Sequence, residues 1–281
     1  MDISNILQFK QDREFSKLLH HDNYVDLTTA ALELARDDQP DLKFDPVYTW
    51  IQQRAAELSG RVALANDDQS LLQCFVDCLK KEHGLIGNTI CYHQAEGSYL
   101  NHVIEKKQGL PISLSLIYMA VGKELGIDIQ GVAAPIQFLV RYDSQAGPLF
   151  IDPYSNGAIY TEEECIDHLA ELGEFSQSEL TILLKPASHR EIIVRMLMNL
   201  KRIHEEQQDY QKAWNVQCRL CALSPLSNTH KKNLAALSYQ TGQLSLAIEL
   251  LEGCLKSCPE SEQADIKMML QKVHAALAKW N

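Results

Sequence analysis

No stretch of this 281-residue sequence is apolar for long enough to cross a bilayer. The longest apolar run, Leu110 to Gly122, carries two serines and stops at Lys123, well short of the roughly 20 residues a spanning helix needs. No membrane partner is expected. Basic charge is also scarce, with 26 Lys and Arg against 37 Asp and Glu and a net charge of −11. A nucleic-acid binder normally shows a clustered basic face, and none is visible here, so nucleic acid is not an expected partner. The 13 glycines never form Gly-x-Gly-x-x-Gly or a Walker-type loop, which removes the usual phosphate cradles. The segment Met1 to Phe15 lacks the unbroken apolar stretch and small-residue cleavage site of a signal peptide. A cytoplasmic location is expected.

Cysteine, by contrast, is plentiful. Cys74, Cys78, Cys91, Cys165, Cys218, Cys221, Cys254 and Cys258 are mostly set among apolar residues at helical spacing, as reduced thiols filling core would be. Cys218-x-x-Cys221 and Cys254-x-x-x-Cys258 have a spacing that can ligate zinc. Both pairs fall in helical patterns, where the tight knuckle of a structural zinc site does not form, so no metal and no cofactor are expected. The histidines, His20-His21 included, lack ligand spacing with carboxylates on one helix face.

The length suits two domains, each able to bury its own core. From Asp26 to Gly84 apolar residues recur at helical intervals, as in Leu71, Leu72, Phe75, Val76 and Leu79. Asp67 or Asp68 can cap that last helix and Gly84 can end it. A further helix is expected from Ser98 to Lys107, and Gly109 breaks it. Pro111 then stands where a first helical residue belongs, since its missing N–H would find no partner there anyway. The helix it opens runs to Gly126 and is apolar nearly all round, which makes it the central helix of its domain. Beyond it the period shortens to alternation: Ile129 to Ala133, Ile136 to Tyr142, Leu149 to Asp152 and Ala158 to Tyr160 read as strands, and Leu180 to Leu184 as an edge strand. Turn residues, including Asp152-Pro153-Tyr154-Ser155-Asn156-Gly157, favour an antiparallel meander. Glu162, Glu163 and Glu164 suit a helix start.

After Pro186 the chain repeats itself. Asn199 and Asn233, Leu200 and Leu234, Ala213 and Ala247, and Pro225 and Pro259 are each 34 residues apart. That is the tetratricopeptide length. Small Ala213 and Ala247 allow close helix approach, Gly242 sits in a turn between helices, each proline ends a second helix, and Leu237, Tyr239 and Leu250 form an apolar stripe. A last helix, Gln263 to Trp280, would cap the stack. The expected fold class is therefore α+β for residues 1–185, with N-terminal helices and an antiparallel sheet, followed by an all-α helical-repeat domain over 186–281.

Gly84-Leu85-Ile86-Gly87-Asn88, Ser98-Tyr99-Leu100, Gly109-Leu110-Pro111-Ile112-Ser113-Leu114, Pro135 to Arg141 and Ile151-Asp152-Pro153 occur in one order. With the repeats, this resembles the bacterial SirB-type family, which joins a transglutaminase-like, papain-like domain to tetratricopeptide-type helices. The resemblance implies a Cys opening the central helix, a His on the next strand and an Asp on the strand after. Here those positions hold Pro111, Gln137 and Asp152. Proline offers no nucleophile and an amide cannot take a proton near neutral pH, so only Asp152 is retained.

Two readings follow. One is a non-catalytic interaction or scaffold protein, a degenerate transglutaminase-like domain plus repeats, with a protein or peptide partner. Its cleft between central helix and sheet would persist for binding without turnover. The other is a cysteine-dependent hydrolase or acyltransferase in which a relocated nucleophile, Cys91, works with His93 or His102. Plainer roles also exist: Pro111 as a helix opener, Gln137 as a strand amide, Asp152 as a turn former.

Overall fold

The computed structural model describes residues 9–22, 24–155 and 157–279. The first eight residues of the Met1 to Phe15 segment, Asn156 in the turn, and Trp280 at the expected end of the last helix lie outside the described residues. The chain divides into two compact units, one formed by Asn23–Met196 and the other by Met1–Asp22 with Leu197–Asn281. These limits differ from 1–185 and 186–281, because residues 1–22 group with the helical repeats and residues 186–196 with the α+β unit.

In the unit formed by Met1–Asp22 and Leu197–Asn281, helix α1 (Arg13–Leu19) follows a 3-10 turn at Phe9–Gln11. In the Asn23–Met196 unit, Asp26 caps α2 (Leu27–Ala35), accepting from the N–H of Thr29, and Asp67 caps α4 (Asp68–Phe75) after α3 (Asp45–Ala63). Side-chain acceptors at these positions satisfy backbone donors that have no partner inside the helix. Past Phe75 the helix widens to a π segment, Val76–Glu82, which ends at His83 and at Gly84 with φ +73°. Strand β1 (Ile86–Gly87) pairs in parallel with β2 (Gln108–Gly109), which follows α5 (Leu100–Lys106). This short parallel pair has no alternating sequence pattern to announce it.

Helix α6 (Pro111–Glu124) opens at Pro111 and is buried over almost its whole length, as its apolar sequence demands. The sheet is antiparallel in the order β3 (Ile129–Val132), β4 (Leu139–Ser144), β5 (Gly147–Ile151) and β6 (Ile159–Thr161). Strand β4 begins at Leu139 rather than Ile136. Ile136 has φ +65°, and the N–H of Gln137 donates to the carbonyl of Pro135 at 2.7 Å, a γ-turn of the rarer, strained kind. Helix α7 (Glu162–Leu172) starts at a capping box between Thr161 and Glu164.

The edge strand expected over Leu180 to Leu184 is instead helix α8 (Gln177–Leu183). Ser176 and Glu179 form a second capping box, and Leu180 and Leu184, four apart, are both fully buried on one helix face. Both leucines join Val132, Leu139, Phe150, Cys165 and Leu169 in one core cluster.

Helix α9 (His189–Glu206) supplies residues to each unit. In the helical unit it is followed by α10 (Tyr210–Leu223), α11 (Asn228–Gln240), α12 (Leu244–Ser257) and α13 (Glu260–Leu277). The period of 34 reappears in the backbone bonds. Asp209 N–H donates to His204 C=O and Gln243 N–H to Ser238 C=O, and both pairs are shifted by 34. Ala213, Leu234, Ala247, Leu251 and the thiols of Cys218, Cys221 and Cys254 form its core, so the paired cysteines pack as apolar groups.

Candidate functional site

The three positions that resemble a catalytic triad are set by α6, by the segment before β4 and by the end of β5. Pro111 is the first residue of α6 and is buried. Ser113 donates from its hydroxyl to Gly97 C=O at 2.6 Å, and Ser115 donates to Phe138 C=O at 3.2 Å. These bonds fasten the opening turns of α6 to a 3-10 turn at Ala95–Ser98 and to the residue after Gln137. Strand β2, directly before α6, pairs with β1, and the N–H of Gly87 in β1 donates to Tyr154 C=O at 3.2 Å. The loop after Asp152 is thereby tied to the start of the central helix.

Side chains are another matter. Gln137 makes its hydrogen bond to His168 Nε2 at 3.4 Å, on α7, and its Oε1 is buried with no partner among the described residues. His168 is stacked on Tyr160, with ring centroids 5.1 Å apart and planes 14° apart. Asp152 is 1% exposed. Its Oδ1 accepts from the N–H groups of Tyr154 and Ser155 at 2.9 and 3.1 Å, the geometry of an Asp-led turn, while Oδ2 has no partner among the described residues. No hydrogen bond joins Gln137 to Asp152. The backbone thus brings the three positions onto neighbouring elements, and the Gln137 and Asp152 side chains each bond to other groups. His168, Tyr160 and Tyr118, whose buried hydroxyl also has no partner among the described residues, sit in no local sequence motif.

The other thiol reading places Cys91 in a 3-10 turn, Thr89–His93, at 6% exposure. Burial pushes its thiol pKa up, and the Glu96 charge adds to that, the direction opposite to an activated nucleophile. His93 is exposed and His102 lies 3.6 Å from Glu105. Cys165 is held still higher, to about 12, by burial and by the Asp152 charge.

An open cleft of about 430 Å³ lies elsewhere, between the start of α3 and α5, walled by Leu42, Val47, Trp50, Asn101 and Ile104. Its lining includes none of Pro111, Gln137 and Asp152. Among the described residues, no helix is long and apolar enough to cross a membrane.

This pairing of a papain-like helix and sheet with 34-residue helical hairpins agrees with comparison to known proteins. Residues 45–198 match the transglutaminase-like superfamily and residues 200–271 match the tetratricopeptide repeat. The UPF0162 protein of Xylella fastidiosa (strain Temecula1) is 31% identical over 250 residues, covering 87% of this chain and 88% of its own. The corresponding UPF0162 protein of Pseudomonas aeruginosa is 28% identical over 251 residues, covering 87% and 83%. Protein SirB1 of Salmonella typhimurium is 24% identical over 218 residues, covering 73% and 78%. No solved structure matches the chain. The architecture is that of a transglutaminase-like domain followed by tetratricopeptide helices, and the chain belongs to the SirB-type family.

Proposed function

We propose that this chain is a non-catalytic interaction protein acting in the cytoplasm, in which the transglutaminase-like domain is a retained scaffold and the repeats present a surface to a protein or peptide. One observation carries the reading: the position that resembles the nucleophile is Pro111, the buried first residue of the central helix. Gln137, turned to His168, and Asp152, engaged in its own turn, support it. Tetratricopeptide helices generally mediate protein contacts, and paired helical hairpins offer grooves for an extended segment or an amphipathic helix. All eight cysteines are free thiols, which suits a reducing compartment.

The test is a reaction assay on the intact chain, offering acyl donors and amine acceptors together with a thiol-directed probe at neutral pH. No turnover and slow, uniform labelling are expected. Turnover that disappears in Cys91→Ala, together with fast selective labelling of Cys91, would overturn the proposal in favour of a relocated nucleophile.

A further inference from the structure

Glu57, Cys78 and His83 bring a carboxylate, a thiol and an imidazole together, apart from the residues considered above. Their ligand-type atoms all lie within 4.8 Å of one another. Glu57 belongs to α3, Cys78 to the π segment, and His83 follows that segment directly. The π geometry is what aligns the last two. Residues five apart in an α-helix, at 3.6 residues per turn, point to different faces, whereas i→i+5 bonding stacks them on one. The bond from His83 N–H to Cys78 C=O at 3.0 Å is that link. Such π turns are rare and recur at functional sites.

The local arrangement has the layering of a metal centre. The Cys78 thiol is fully buried, while the Glu57 and His83 side chains are 40% and 27% exposed. Glu57 Oε2 stands 2.7 Å from His83 Nε2 and 4.0 Å from Cys78 Sγ, so one oxygen lies within reach of both other groups. Arg54 Nη2 donates to the opposite oxygen, Oε1, at 2.7 Å. Trp50 stands edge-on to the His83 ring at 6.1 Å between centroids.

We propose that Glu57, Cys78 and His83 bind a divalent, thiophilic cation of the zinc class, with solvent as the fourth ligand and Arg54 bracing the Glu57 carboxylate from outside. A thiolate with an imidazole and a carboxylate is a zinc-type donor set, whereas magnesium and calcium take oxygen alone. Zinc bonds of about 2.0–2.3 Å set the ligand atoms roughly 3–4 Å apart around a tetrahedron, close to the spread already present. Binding releases the Cys78 thiol proton to solvent and moves the His83 proton from Nε2 to Nδ1. Arg54 Nη1, now 3.4 Å from Nδ1, gives up that contact while Nη2 keeps Glu57. The carboxylate and thiolate balance the two charges of the cation.

The experiment uses full-length protein, stripped with a chelator and titrated with zinc chloride against a chromophoric competitor. One zinc per chain is expected. Glu57→Gln, Cys78→Ser and His83→Gln should each weaken binding by about tenfold or more, since a lost ligand costs no less than a lost outer-shell partner. Cobalt supplies a second readout, a near-ultraviolet thiolate-to-metal band present in the parent and in Glu57→Gln but absent in Cys78→Ser. Because Cys78 is core, the exposed Glu57→Gln, checked by circular dichroism for retained fold, decides the matter if Cys78→Ser fails to fold. Absence of stoichiometric binding in the parent, or unchanged affinity in both Glu57→Gln and His83→Gln, would overturn the proposal and leave the cluster as a hydrogen-bonded ion pair only.

Discussion

Arg219 and Asp12, 207 positions apart, form a buried ion pair at 2.6 Å in the helical unit. The Arg219 guanidinium also lies over the rings of Phe9 and Phe15, at 4.5 and 4.7 Å. Removing the guanidinium takes the 2.6 Å partner from a buried carboxylate, so Arg219→Met should lower stability by about 3–5 kcal/mol in urea unfolding. Adding Asp12→Leu should recover part of that loss, because the buried carboxylate is then gone as well. Asp26 offers a different residue-scale test. Partial burial raises its pKa, yet the Lys123 ammonium at 2.6 Å, the Thr29 N–H at 2.7 Å and the hydroxyls of Tyr48 and Thr29 outweigh this and hold it at about 2. A depressed carboxylate stabilises the fold above its unfolded pKa. That contribution should be complete above about pH 4 and fade as pH falls toward about 2. The expected loss for Asp26→Asn at pH 7 is about 1–2 kcal/mol after solvent screening, with a flatter acid limb in pH-dependent unfolding.

At the scale of elements, the 34-residue period allows one turn to be tested against its copy. Gln208 and Gly242 occupy equivalent turns with φ +60° and +77°. A side chain in this left-handed region costs about 1 kcal/mol, which glycine avoids. Gln208→Gly should therefore stabilise and Gly242→Ala destabilise, each by about 1 kcal/mol, as read from thermal unfolding. A Cβ at Gly242 would meet nothing within 4 Å, so the effect is one of backbone alone. The γ-turn at Ile136 is stranger, since a β-branched residue is held there at positive φ while the residue is 59% exposed. Ile136→Gly should stabilise by about 1–2 kcal/mol, and a smaller gain would mean that the turn is relaxed in solution.

At the scale of the whole molecule, the domain limits matter for any dissection of function. Ile192, Ile193 and Met196 are fully buried residues of the α+β unit, and the N–H of Ala187 donates to Gly131 C=O in β3 at 2.8 Å. A chain ended at Pro186 strips those residues away and exposes the core they cover. Such a truncation should express as aggregated or partly unfolded protein, with loss of near-ultraviolet circular dichroism, whereas the intact chain folds cooperatively. Partner mapping is therefore better done with point variants on the full chain than with halves.

What could be read directly from the residues was what neighbours within a turn or a period enforce. The apolar α6 had to be central, an aspartate at 67 or 68 had to cap, and the 34-residue matches had to become equivalent hairpins. Leu180 to Leu184 failed as a strand because the deciding signal was the Ser176–Glu179 capping box, not the short apolar run. Long-range closure decided the rest. Only the folded chain pairs Arg219 with Asp12, turns Gln137 toward His168, and uses a π segment to set Cys78 beside His83 and Glu57. Contacts of this kind depend on how distant elements meet in space, and local spacing carries no record of that meeting.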